Sequence, residues 1–211
     1  MMTLHSYWRS TAAWRVRLAL QLKGIPHNIA PVNLLQGDQR SAAHLALNPQ
    51  GLVPVLEHDG AVLTQSLAII EYLDELHPDP PLLPADALGR ARVRAAALTI
   101  SADVHPLGNL RVQRWLKGEL GADDAAMTRW LHHWMHDGLA SLEAFSAQFG
   151  GAWLHGDQPS LADLCLLPQL YNARRFALSL GAFPRLVAIE QQMAATSWAR
   201  AAHPETQLDS P

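Results

Sequence analysis

Thr3-Leu4-His5-Ser6-Tyr7-Trp8-Arg9-Ser10-Thr11-Ala12-Ala13-Trp14-Arg15-Val16-Arg17-Leu18-Ala19-Leu20-Gln21-Leu22-Lys23-Gly24-Ile25-Pro26 is the stretch on which the fold turns. Thr3–Trp8 reads as a strand, broken at Arg9-Ser10-Thr11. Ala12–Lys23 follows as a helix of good formers, capped by Gly24 and stopped by Pro26. A hydroxyl at a helix N-terminus points its oxygen at free backbone N–H groups, in the positive end of the helix dipole. Anions are stabilised there, and a thiol placed there ionises more easily. The opening therefore predicts a place to hold a thiolate.

Moving outward, His27–Val32 reads as a second strand and Ser41–Leu47 as a short helix ended by Asn48-Pro49-Gln50-Gly51. Val53–His58 is a third strand, Asp59-Gly60 a hairpin turn, and Ala61–Thr64 the return strand. Ser66 is expected to cap a helix over Leu67–His77. The order is βαβαββα, and the hairpin makes the sheet mixed. Pro54 inside an apolar strand belongs at an edge or in a cis turn. If cis, it exposes the backbone of Val53 to an extended peptide, which is recognition by strand addition. Gln65-Ser66 offers a second helix N-terminus for a carboxylate. A peptide-like, anionic, thiol-bearing ligand satisfies all three features, and glutathione is the obvious one. Read plainly, Pro54 would only mark an edge strand and Ser66 would only be a cap.

A linker, residues 78–86, holds four prolines at positions 78, 80, 81 and 84. It separates a domain over residues 1–80 from one over 87–211 that reads as all helix. Ala87–Leu116 is expected as one long amphipathic helix, kinked at Pro106 beside His105. Asp123–Phe149 is another, and Phe183–Ala194 a last one before a polar tail. Between them, Ser160-Leu161-Ala162-Asp163 opens a helix to about Ala177 with a capping box. Ser160 and Asp163 look catalytic by type but read better as that cap. The fold class is α/β plus all-α.

Composition narrows the function. The chain has 211 residues, is 49% hydrophobic and carries a net charge of −3. That gives no electrostatic case for nucleic acid or a membrane surface. A single cysteine, Cys165, allows no intrachain disulfide and suits a reducing compartment; it reads as an inert core thiol. No leader and no bilayer-length apolar run is evident, so a cytoplasmic protein is expected. His132, His133 and His136 lack a carboxylate or cysteine to complete a metal set, so they read as a solvated helix face and no metal is expected. The seven tryptophans come without a basic patch and read as core and interface.

The chain resembles the zeta-class glutathione transferases along its whole length. The resemblance rests on Ser10-Thr11-Ala12-Ala13-Trp14-Arg15-Val16-Arg17-Leu18, Pro31-Val32-Asn33-Leu34-Leu35, Leu47-Asn48-Pro49-Gln50-Gly51-Leu52-Val53-Pro54 and Gln65-Ser66-Leu67-Ala68-Ile69-Ile70-Glu71-Tyr72-Leu73. It continues in Leu161-Ala162-Asp163-Leu164-Cys165-Leu166-Leu167-Pro168-Gln169 and Asn172-Ala173-Arg174-Arg175-Phe176. What it implies is a thioredoxin-like N-terminal domain, an all-α C-terminal domain and a homodimer. It also implies glutathione contacts from Ser10, Thr11, Gln39, Gln50, Val53, Pro54, Gln65 and Ser66, with His105, Asn109 and Arg111 closing the site. Arg9 and Arg175 would face an acidic substrate, with Arg111 a further candidate. In one place the chain departs from the family: Ala12 stands where the tripeptide usually ends in cysteine.

The implied activity is glutathione-dependent cis–trans isomerisation of a maleyl-type diacid from aromatic catabolism, by thiolate addition, rotation and elimination. Maleylacetoacetate and maleylpyruvate both fit. Catalysis would fall to Ser10 or Thr11, holding the thiolate, and to Arg9, whose planar fork suits carboxylates and a developing enolate. Arg174 and Arg175 lie in an apolar helix and cannot both face outward on one stripe, and the resemblance selects Arg175. The alternatives are a general glutathione transferase or dehalogenase of small halo acids, and a non-catalytic binding module of the same fold.

Overall fold

The computed structural model describes all 211 residues and divides into two compact units, Met1–Leu82 with Ala194–Pro211, and Leu83–Met193. Residues Ala194–Pro211, assigned by the sequence to the helical domain as a polar tail, pack with the first unit instead.

The first unit is built on β1 (Met2–Ser6), α1 (Thr11–Leu22), β2 (His27–Pro31), α2 (Ala42–Leu47), β3 (Val55–His58), β4 (Ala61–Thr64) and α3 (Ser66–Leu76). The strand order is β2-β1-β3-β4, with β1 parallel to β2 and antiparallel to β3. The β3–β4 hairpin turns on Asp59 (φ 49°) and Gly60 (φ 84°), the pair of left-handed residues a tight hairpin needs. Strand β1 buries Met2, Leu4 and Ser6 in alternation. Helix α1 is buried from Ala13 to Leu20 because α3, β1 and α9 (Ser197–Ala201) all pack on it. It ends in a Schellman motif: Gly24 N donates to Gln21 O and Ile25 N to Leu20 O. Its arginines Arg15 and Arg17 are each only 1% exposed, so both must find acceptors inside the protein. One capping expectation is corrected. The N-cap of α3 is Gln65, held at φ 69°, and Ser66 is the first helical residue.

The second unit holds α4 (Ala87–Leu98), α5 (Leu110–Glu119), α6 (Asp124–Phe149), α7 (Leu161–Arg175) and α8 (Pro184–Ala194), whose last residue belongs to the first unit. The single helix expected over Ala87–Leu116 is three pieces. After Leu98 the chain widens into a π-helical turn (Thr99–Val104) and then tightens into a 3₁₀ turn (His105–Gly108) before Asn109 caps α5. Pro106 lacks the N–H an α-helix requires at that point, and the looser turn before it takes up the mismatch. Glycine is required opposite this segment, since a Cβ on Gly138 of α6 would lie 2.1 Å from Val104 Cγ2. Ser160 and Asp163 close the expected capping box at the start of α7.

Candidate active site

The β1–α1 turn presents Ser10 as the N-cap of α1, in extended backbone (φ −67°, ψ 114°). Tyr7 O accepts from Ser10 N at 2.9 Å, and Ser10 Oγ accepts from Ala13 N at 3.2 Å. A hydroxyl that accepts from the helix keeps its own O–H to donate outward. Half-buried Ser10 is more accessible than Thr11, which is only 6% exposed as the first residue of α1. Burial therefore favours Ser10 where the sequence left the two hydroxyls equal. Arg9 is half-buried, with its guanidinium 5.0 Å from the centre of the Trp8 ring. Ala12 puts no thiol here, and the one cysteine, Cys165, is buried in α7.

Val53-Pro54 is a cis peptide, as the sequence allowed. Val53 packs in a cluster with Tyr7 and Val32, against Trp8 and Leu34, which sets it beside the Ser10 turn. Neither its N–H nor its C=O bonds within the chain. An open backbone pair of this kind is what an extended peptide uses to add itself to a sheet. The preceding loop is pinned by His44 Nε2 and Asn48 Nδ2 to Leu52 O, at 3.0 and 2.9 Å.

Ser66 is buried at the start of α3, where the first backbone N–H groups have no helical partner. Arg15 Nη1 donates to Ser66 Oγ at 3.3 Å, tying α3 to α1 and leaving the hydroxyl proton for a carboxylate. Gln65 Nε2 donates to Gln50 Oε1 at 3.2 Å. Gln39 is buried with its Oε1 unpaired, and its backbone lies against Gly51. A thiol-directed helix start, an open backbone pair and a carboxylate-directed helix start thus occur in one unit. They fit a thiol-bearing acidic peptide.

In the second unit, His105 lines a small recess with Trp130, Trp134, Gln169 and Asn172. Trp134 Nε1 and both side-chain polar atoms of Gln169 are buried there without partners. The sequence reading passed over Gln169, although a glutamine inside the apolar run Leu164–Leu170 was a visible signal. Asn109 Oδ1 accepts from Arg111 N at 3.1 Å as the cap of α5, while the Arg111 side chain is exposed. Contrary to the expectation for the arginine pair, Arg174 and Arg175 are both exposed. Arg174 is committed to Glu190 by two hydrogen bonds, and Arg175 sits 4.4 Å from the centre of the Phe176 ring. The expectation that one of the two turns inward therefore fails: neighbours on a helix are about 100° apart, and long side chains from both positions can reach solvent. His132 is likewise half-buried rather than solvated, with Nε2 2.7 Å from Phe176 O.

Comparison with known proteins extends this picture over the full length. The glutathione S-transferase N-terminal domain matches residues 9–76, and the glutathione S-transferase C-terminal domain matches residues 135–196. The maleylacetoacetate isomerase of Pseudomonas aeruginosa is 46% identical over 213 residues, covering 100% of this chain and 99% of the relative. A holo maleyl pyruvate isomerase, described as a bacterial zeta-class glutathione S-transferase, superposes with a TM-score of 0.96 at 42% identity, covering 99% of this chain and 100% of that one. The maleylacetoacetate isomerase of Anaeromyxobacter dehalogenans 2CP-1, solved with dicarboxyethyl glutathione and citrate in its active site, superposes with a TM-score of 0.90 at 45% identity, covering 100% and 98%.

Proposed function

Because the chain belongs to the zeta class of the glutathione S-transferase family, we propose that it is a glutathione-dependent cis–trans isomerase of a maleyl-type diacid, maleylacetoacetate or maleylpyruvate. The observation that carries this reading is the Ser10 hydroxyl, held at the start of α1 in a chain that matches isomerases from end to end. Bound glutathione supplies a thiolate that adds to the alkene carbon β to a carbonyl, allows rotation, and leaves unchanged. Ser10 donates its O–H to that sulfur, and the N-terminus of α1 adds a positive field. Thr11 supports the same turn. Val53, Pro54 and Gln50 hold the peptide backbone, Gln39 offers its unpaired Oε1, and Gln65 with Ser66 takes the peptide's carboxylate end. The family resemblance also assigns His105, Asn109 and Arg111 to glutathione. Arg9 and Arg175, with Arg111 in support, take the diacid's carboxylates and developing enolate, for which a bidentate fork is suited.

The test is turnover of both maleyl substrates with and without glutathione, with free thiol counted throughout. Isomerisation that requires glutathione and leaves the thiol count unchanged is expected. Steady loss of thiol would instead mark a conjugating transferase, and no turnover with retained glutathione binding would mark a binding module. In the same assay, Arg9→Ala and Arg175→Ala should weaken the diacid while leaving glutathione affinity near wild type. If Arg174→Ala is damaging and Arg175→Ala silent, the assignment on α7 is off by one residue.

The proposal includes a homodimer. Leu88, Ala91, Ala95 and Leu98 form an exposed apolar stripe along α4 at three- and four-residue spacing, with Leu88 58% and Leu98 46% exposed. Sedimentation should give twice the chain mass for the wild type and a lower mass for Ala95→Glu; a wild-type monomer at micromolar concentration rules the dimer out. No helix is long and apolar enough to cross a membrane. A cytoplasmic setting agrees with the single buried cysteine and with the supply of reduced glutathione there.

A further inference from the structure

The β1–α1 turn is held from behind by a segment almost a whole chain length away. Trp8 N donates to Asp209 Oδ2 at 2.9 Å, across 201 residues of sequence. On the other side of the same residue, Arg17 Nη2 donates to Trp8 O at 2.8 Å. Arg17 also reaches Ser6 Oγ at 2.8 Å and Tyr7 O at 3.4 Å, and its Nε donates to Ala202 O at 3.2 Å. One guanidinium, 1% exposed, therefore joins the end of β1, the turn and the segment after α9. Burial lowers its pKa to about 10, with the Asp209 charge acting in the opposite sense, so it stays a cation at neutral pH. Trp14 of α1 adds an edge contact to His203, at 5.4 Å between ring centres.

We propose that Asp209 and Arg17 are positioning residues for the reaction, acting together as a strap that clamps the peptide units on both sides of Trp8 and so aims Arg9 and Ser10. The reason is geometric. Trp8, Arg9 and Ser10 are consecutive, and Ser10 N is itself anchored one step back, on Tyr7 O. With both backbone groups of Trp8 taken, the turn has little freedom left to swing Ser10 away from its capping geometry. A hydroxyl that must meet a sulfur in one orientation loses much of its value when its backbone wanders. Neither Asp209 nor Arg17 needs to touch glutathione or the diacid for this. A purely structural strap would lower stability without moving thiol ionisation, so the readouts follow the chemistry.

This inference rests on the reading of Ser10 as the thiolate's partner, and the readouts separate the two. The variants are Asp209→Ala, which removes both acceptor and charge, and Asp209→Asn, which keeps an acceptor for Trp8 N but drops the charge facing Arg17. At saturating glutathione, Asp209→Ala should lower kcat about tenfold, as expected for one lost hydrogen bond to a charged group. The KM for glutathione should change much less. The pH at which the bound thiol ionises, followed by thiolate absorbance, should rise, and hydrogen exchange at the Trp8 amide should quicken. Asp209→Asn should fall between Asp209→Ala and wild type, and it decides alone if Asp209→Ala does not fold. The strap is overturned if folded variants keep wild-type kcat and thiol ionisation, even with a lowered melting temperature. A wild type that does not isomerise sinks the proposed function instead, and the thiol-ionisation and amide-exchange readouts still judge the strap.

Discussion

Asp163→Ala is expected to cost on the order of 4 kcal/mol of folding stability, the summed penalty for several buried donors left unpaired. Asp163 is completely buried at the start of α7. Its Oδ1 accepts from Leu154 N at 2.9 Å, and its Oδ2 accepts from Ser160 N at 2.9 Å and from Ser160 Oγ at 2.7 Å. Alanine strands all three donors where water cannot reach them. Charge adds a pH dependence. Burial pushes the carboxyl from its ordinary 3.8 up to about 6, outweighing the donated hydrogen bonds that pull it down. The folded protein thus binds this proton more tightly than the unfolded chain does. The associated stability is fully present below about pH 4 and is lost as pH rises through 6. Denaturant titrations of wild type and Asp163→Asn across that range isolate the effect, because asparagine does not titrate. The wild-type advantage should shrink between pH 4 and 6. A constant difference would mean that the carboxylate is charged throughout.

Where structure is decided within a few residues, the sequence was readable. Ser10 before a helix of good formers, Asp59-Gly60 between apolar runs, and Ser160 three residues ahead of Asp163 all carry their own geometry, and all appear as expected. Local reading failed where the deciding partner is remote or the backbone unusual. Apolar spacing runs through Thr99–Val104 much as it does through an α-helix, so the π turn leaves no mark in the pattern. Gln65 holds a left-handed backbone that its residue type does not announce, and the neighbouring serine took the capping role in the reading. The fate of the segment after Ala194 depends on a buried arginine two turns into α1, with Trp8 and Asp209 meeting only in three dimensions. Arg15 and Arg17 follow the same logic. Charges in an otherwise apolar helix look solvated on paper, and only packing on several sides shows that they are interior struts. The candidate site divides in the same way: its helix starts are legible, while the groups that hold them in place are not.

Ser10→Ala should lower turnover by about two to three powers of ten, the ~2–4 kcal/mol typical of removing one donor aimed at transition-state charge. Two functions meet in this hydroxyl. As an acceptor from Ala13 N it caps α1, and its loss there costs about 1 kcal/mol of stability. In the proposed mechanism it also donates to the sulfur, and the N–H it receives polarises its own O–H, which would strengthen that bond. Glutathione affinity should fall less than turnover, because the contacts proposed for Val53 and Ser66 are independent of the sulfur. The ionisation of the bound thiol should move to higher pH, since the variant loses a donor that favours the charged form. Rate therefore recovers partly as pH rises, which a merely unstable variant would not do. Ser10→Thr should keep much of the activity if the oxygen alone matters, since threonine is also a competent cap. Thr11→Val is the necessary partner experiment: Thr11 is buried in the first turn, and its loss should disturb packing more than thiol ionisation. If Ser10→Ala turns over at the wild-type rate with an unshifted pH profile while Thr11→Val does not, the thiolate belongs to Thr11. The half-buried hydroxyl at the helix start would then be a cap and nothing more.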